Sequence, residues 1–193
     1  MIEQHFLANI FKEKDFSKEE LELILSKFSQ VNFSKNDYIL NEGKTENHYW
    51  FIERGFVRSY VVDTSGNDIT TNFYAVGDIV IDWTSFFLRN PTRENIQALT
   101  DCKCWQLDFD TFQKLFNGIQ SFREQGRTTL VNSYFVLKKQ SVSMIADQAK
   151  ERYIKLVKEK PHIVQNISLK HIATYLGITD TSLSRIRKEI SND

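Results

Sequence analysis

The stretch that decides the fold is "ATYLGITDTSLSRIRKEI", Ala173 to Ile190. Ala173 is small where two helices would touch. Gly177 stands four residues on, at a point where the chain must turn sharply, and a left-handed backbone there costs glycine nothing. Ile178 follows, then Leu183 and Ile186 recur on the inner side of a second helix. Thr179 is placed to cap that helix, with Asp180 in its first turn where the helix dipole favours an acid. Upstream, Ile172, Ala173 and Leu176 line one face of a short helix that starts near Ser168. This is the spacing of a helix-turn-helix.

The outward face of the second helix carries Asp180, Thr181, Ser184, Arg185 and Lys188. Short polar side chains near a helix start allow close approach to base edges. An arginine such as Arg185 can make a forked contact to guanine. Arg187, Lys188 and the upstream Lys170 suit phosphates, which fix register rather than sequence. The candidate DNA-binding residues are therefore Lys170, Thr179, Asp180, Thr181, Ser184, Arg185, Arg187 and Lys188. Charge agrees with this. The 193 residues are formally neutral, but the segment from Lys138 onward holds eleven Lys/Arg against six Asp/Glu, a net +5, and the remainder carries −5. A basic tail on an acidic body points to a polyanion partner.

Working back toward the N-terminus, "MIADQAKERYIKLVKEK" reads as a helix stopped by Pro161. Phe112, Leu115, Phe116, Ile119 and Phe122 form an apolar stripe, continued by Leu130, Tyr134 and Leu137. Either one long helix, or a short helix and a long one broken near Asn117–Gly118, runs to about Ser143, with a hinge expected at Ser141–Met144. The later stripe fits pairing with a second copy, although it could also pack on the chain's own β-structure. From Val31 the pattern is β-branched and aromatic, cut by Gly43, Gly55, Gly66 and Gly77 about every eleven residues, the turn spacing of a sandwich or barrel. "VVDTSGNDITT" reads as a hairpin around Ser65–Gly66. Ser17 and Glu20 form a capping box ahead of Leu21, Ile24, Leu25 and Phe28.

Other chemistry is thin. Cys102 and Cys104 sit in "DCKCW", and two ligands do not make a metal site, so they read as reduced core cysteines. His48, His162 and His171 have no metal-binding spacing and read as surface or capping residues. No Ser/His/Asp order, phosphate-cradling glycine loop or carboxylate pair stands out, so neither catalysis, nor a metal, nor a cofactor is expected. No window approaches a membrane span. The N-terminus, with acids and no small-residue cleavage site, does not read as a signal peptide. A cytoplasmic protein is expected.

Taken together, "NEGKTENHYWFIERGFVRSY", "YAVGDIVID", "AKERYIKLVKEKPHIVQ" and "IATYLGITDTSLSRIRK" resemble the Crp/Fnr superfamily of bacterial transcription regulators over nearly the whole chain, most closely the shorter members common in Bacteroidetes. The resemblance implies an α+β fold. It comprises a cyclic-nucleotide-binding-like β-roll (a jelly roll) with flanking helices, a long dimerisation helix and a C-terminal winged-helix-like helix-turn-helix domain. The expected divisions are 1–117 for the sensor, 118–143 for the long helix and hinge, and 144–193 for the DNA-binding domain. It implies a homodimer on palindromic double-stranded DNA, with RNA polymerase as a further partner and a small-molecule effector of unknown identity. Base contacts fall on Asp180, Thr181 and Arg185. The sequence ends at Asp193, so a β-wing is expected to be short or missing. The competing reading is a small-molecule sensor module that does not bind DNA.

The family's phosphate cassette runs Gly-Glu, then Arg followed by Ser or Thr. In "GDIVIDWTSFFLRNPTRENIQAL" these positions become Ile81, Asp82, Thr92 and Arg93. One residue of displacement on a strand would turn Arg93 to the other face. Trp83, Phe86 and Phe87 could fill a purine's space or stack on it. Control by cyclic AMP is therefore not expected, and Asp82, Trp83, Thr92 and Arg93 remain candidates for an effector pocket.

Overall fold

The computed structural model describes residues 5–12 and 15–192. Residues 1–4, on which the signal-peptide expectation partly rests, lie outside them. The helix α1 (Lys18–Leu25) starts with the reciprocal capping box: Ser17 Oγ accepts from Glu20 N at 3.2 Å and Glu20 Oε2 from Ser17 N at 3.0 Å. Eight strands follow: β1 (Ser29–Phe33), β2 (Tyr38–Leu40), β3 (His48–Arg54), β4 (Val57–Val62), β5 (Asp68–Tyr74), β6 (Ile79–Val80), β7 (Asn95–Ala98) and β8 (Cys102–Asp108). The short α2 (Trp83–Leu88) lies between β6 and β7. One sheet runs β1-β8-β3-β6, and the other comprises β2, β7, β4 and β5.

Helices close the chain: α3 (Phe109–Gly118), α4 (Gln120–Ala146), α5 (Ala149–Glu159), α6 (Pro161–Asn166), α7 (Leu169–Tyr175) and α8 (Asp180–Asn192). Of the two readings left open for the apolar stripe, the broken helix is the one observed, and the break is the extended residue Ile119. The long helix runs past the expected hinge to Ala146. Its end is set by Asp147, which accepts from Ser143 Oγ and Lys155, and by Gln148, which forms a capping box with Glu151. Pro161 ends α5 and opens α6, where its missing N–H costs nothing.

The contacts divide the chain into two compact units. One is Met1–Val57 with Tyr74–Asn132, and the other is Arg58–Phe73 with Ser133–Asp193. In the first unit, β3 explains the layering. Its side chains alternate: Trp50 and Ile52 join Val80, Ile96, Cys102 and Cys104 in a core between the sheets, while Tyr49 and Phe51 face a second core built from α1, α2 and α3. Both faces are covered, so the strand reads as a continuous apolar run. Gly55 makes the turn out of β3 at φ +103°, and a Cβ there would lie 2.6 Å from Cys102 Sγ. Both cysteines are free and buried, and burial pushes the Cys104 thiol up to about 12. They are core residues, as the sequence indicated.

In the second unit the expected hairpin is present. Asp63 Oδ1 accepts from Ser65 N at 2.8 Å and Asn67 N at 2.9 Å, an Asx-type turn. Along α4, Leu130, Tyr134 and Leu137 are 44, 59 and 64% exposed, and Val131, Phe135 and Val136 beside them are also exposed.

Candidate nucleic-acid interface and effector pocket

Helices α7 and α8 are joined as the sequence indicated. Ser168 Oγ accepts from His171 N at 3.4 Å and opens α7. At its end, Gly177 adopts φ +67°, Gly177 N donates to Thr174 O at 3.1 Å and Ile178 N to Ala173 O at 3.0 Å. These two bonds form a Schellman closure, which satisfies the last carbonyls and aims the chain into α8. Thr179 Oγ1 accepts from Ser182 N at 3.2 Å and caps α8. Ile172, Ala173, Leu176 and Leu183 are buried where the helices meet, and Ile186 is half-buried.

The opposite face of α8 is open. Asp180, Thr181, Ser184, Arg185, Arg187 and Lys188 are all exposed, as are Thr179 and Lys170. Among the described residues, neither Lys170 nor any of the three α8 cations forms an ion pair, whereas Lys150 and Glu189 approach to 3.8 Å. The geometry is a rigid two-helix support presenting three uncommitted cations beside short polar groups.

The cassette region of the first unit is arranged differently. Asp82 Oδ1 accepts from Thr84 N at 2.9 Å and Ser85 N at 3.1 Å, so its carboxylate occupies the free amides at the start of α2. Thr92 is buried and accepts from Glu94 N at 2.9 Å. Arg93 is exposed. Trp83 is half-buried and stacks on Phe87, 5.9 Å away at an interplanar angle of 4°. The four candidates are close in sequence, but their polar groups are spent on capping and turns or face solvent. Nearby, Glu46 is buried. Arg89 donates to its carbonyl at 2.5 Å, and burial pushes its carboxyl up to about 8. Sequence inspection did not single out Glu46, because no local pattern marks a buried acid in a loop.

Comparison with known proteins places this arrangement. Residues 30–118 match the family model of the cyclic nucleotide-binding domain. The fold is similar to that of FixK2 from Bradyrhizobium japonicum, with a TM-score of 0.75 at 17% identity, covering 86% of this chain and 85% of that one. It is also similar to a protein from Eubacterium rectale described as a transcriptional regulator of the Crp/Fnr family, with a TM-score of 0.73 at 15% identity, covering 95% and 88%. The chain has the Crp/Fnr fold. A curated relative, the cAMP-dependent protein kinase regulatory subunit of Candida albicans, is 26% identical over 109 residues, which is 56% of this chain and 22% of that protein. The chain therefore spans about a fifth of the length of the curated relative it matches. No described helix is long and apolar enough to cross a membrane, and no group of three or more potential metal ligands occurs among the described residues.

Within the second unit of this Crp/Fnr fold lie polar contacts that the sequence did not disclose. Arg58, on β4, is buried. Its guanidinium donates to Asp68 Oδ2 at 2.8 Å and to His171 Nδ1 at 3.0 Å, and stacks 4.0 Å from the Tyr60 ring centroid. Thr174 Oγ1 lies 3.0 Å from Thr70 Oγ1, and Phe73 and Tyr175 are 5.1 Å apart. Arg152 donates to Leu176 O at 2.8 Å and to Asp147 O at 2.6 Å, tying the end of α7 to the end of α4. These partners lie up to 113 residues apart, so no spacing rule could have found them.

His171 is held by this arrangement in its neutral form, because Nδ1 accepts from Arg58. Burial, then the Arg58 charge, lowers its pKa to about 4 from 6.5. The unfolded chain therefore binds the proton first as pH falls. Stability is intact above about pH 6.5 and is lost progressively toward pH 4. His171→Gln retains an acceptor and does not titrate. Its thermal midpoint should fall less steeply than the native protein's between pH 6.5 and 4. Parallel curves would rule out His171 as the responsible group.

Proposed function

We propose that the protein is a DNA-binding transcription regulator that acts as a homodimer on a palindromic site. The observation that carries this reading is α8. Arg185, Arg187 and Lys188 stand exposed and, among the described residues, form no ion pair, on a helix whose entry angle is fixed by the Gly177 turn and the Thr179 cap. Arg185 reads a guanine, Thr181 and Ser184 allow the approach, and Lys170, Arg187 and Lys188 hold phosphates. Dimerisation through α4 is supported by its exposed run of Leu130, Tyr134 and Leu137, and a two-fold dimer presents two α8 helices to half-sites about one helical turn apart. The working divisions are a sensor over 1–117, a long helix over 118–143 and a DNA-binding part over 144–193.

Control by cyclic AMP is not part of this reading. The amides at the start of α2 that could receive a phosphate already serve Asp82, and a carboxylate there repels an anion. The space between the sheets is occupied by Trp50, Ile52, Val80 and Ile96.

The test is an electrophoretic shift on recovered genomic fragments across a salt series. Three phosphate contacts from each protomer would make the affinity fall about a thousandfold between 50 and 200 mM salt. Arg185→Ala should cost about 1–3 kcal/mol per half-site and relax the sequence preference, while leaving the salt dependence in place. Affinity that does not respond to salt, or an unchanged preference in Arg185→Ala, would remove the assignment.

A further inference from the structure

Outside the roll, between its outer face and the helices, the first unit holds a partly open cavity of about 140 Å³. Phe51 and Ile81 form its floor, Phe86 and Phe112 its walls, and Gln125 and Gly126 of α4 its lid. It is separate from the core between the sheets, because Phe51 and Ile81 belong to the helix-facing cluster whereas Trp50 and Val80 belong to the other. The lining is almost entirely apolar. A cavity of this size with such walls holds a benzene-sized molecule.

Its polar equipment is minimal. Gln125 Nε2 donates to Ile10 O at 3.1 Å, which orients the amide. Gln125 Oε1 is then left buried with no partner. A buried acceptor without a donor costs free energy that a ligand's donor would recover. Tyr49, another wall residue, is buried. Gly126 keeps the lid open: a Cβ there would sit 3.2 Å from Phe116 Cε2.

We infer that this cavity is a binding site for a compact neutral aromatic molecule bearing one hydrogen-bond donor, the phenol class, with the donor on Gln125 Oε1. Shape and apolar lining select the ring. The single buried acceptor selects the hydroxyl over a methyl of equal size. An anionic or strongly polar ligand is disfavoured inside the apolar walls, and Arg127, the one charged residue of the lining, is exposed to solvent. The inference does not depend on DNA binding.

Phenol and toluene, which have equal heavy-atom counts, are titrated into the full chain while the isoleucine methyl resonances are followed by NMR. Phenol should shift Ile10, Ile79 and Ile81, all of which line the cavity, and leave Ile52 and Ile96 between the sheets unmoved. A purely apolar cavity prefers toluene, because the hydroxyl gives up its water. The native protein should instead bind phenol at least as tightly as toluene. Gln125→Leu should weaken phenol about tenfold while retaining toluene. Absence of shifts at the cavity methyls, shifts confined to Ile52 and Ile96, or an unaltered phenol-to-toluene ratio in Gln125→Leu would each overturn the assignment. If that variant fails to fold, a clear native preference for toluene does so alone.

Discussion

Leu137→Glu is expected to convert the protein to a monomer. In the isolated chain Leu137 is among the most exposed apolar side chains of α4, together with Tyr134, Phe135 and Val136 one turn or less away. A surface of that kind is rare on a chain that works alone. In a two-fold dimer every substitution occurs twice, so two carboxylates would enter the apolar seam. Each loses several kcal/mol of hydration, and a penalty of only 2.8 kcal/mol in total already weakens the dimer a hundredfold. Sedimentation should therefore show a loss of dimer of at least about a hundredfold. The operator complex should weaken with it, because one α8 no longer brings the other. A Leu137→Glu protein that sediments as a dimer would show that α4 does not form the interface.

The second large effect is predicted at the helix joint. Leu183→Ala removes the buried side chain by which α8 rests on Ile172, Ala173 and Leu176. Large-to-small replacement in a packed core costs about 2–5 kcal/mol. The helix-turn-helix is small, and that loss is comparable to what such a joint can supply. DNA binding should disappear at a temperature where the methyl signals of Ile52 and Ile96 remain native. Thermal unfolding followed residue by residue checks this. A drop below about 1 kcal/mol would mean that the joint relaxes around the gap and that α8 is held by something else.

What the sequence disclosed, and what it concealed, follows from range. Ser17 and Glu20, Gly177 and Thr179, and the Ser65–Gly66 hairpin are local devices: partners lie within about five residues, and each was readable from spacing. The end of α4 was placed too early because its stop signal, Asp147 with Gln148, is a polar pair that also suits a helix interior. Ile119 broke the long helix where an apolar stripe alone would have carried it through. The Arg58, Asp68 and His171 contacts were invisible, since nothing at position 171 says that a guanidinium from β4 will reach it. The candidate pocket suffered similarly. Asp82 and Arg93 were identifiable as charges out of place, but whether Asp82 faces a ligand or its own helix is a matter of backbone angles.

The hairpin of β4 and β5 shares a unit with the last sixty residues, although more than fifty others intervene along the chain. The two halves of that unit are therefore stitched by tertiary contacts and not by covalent proximity. An expression fragment begun after the long helix would leave Tyr175 without Phe73 and Thr174 without Thr70, exposing a surface that the intact molecule never shows. Biochemists who want the nucleic-acid reader by itself should graft the two strands onto it through a new loop, or expect a fragment that clumps.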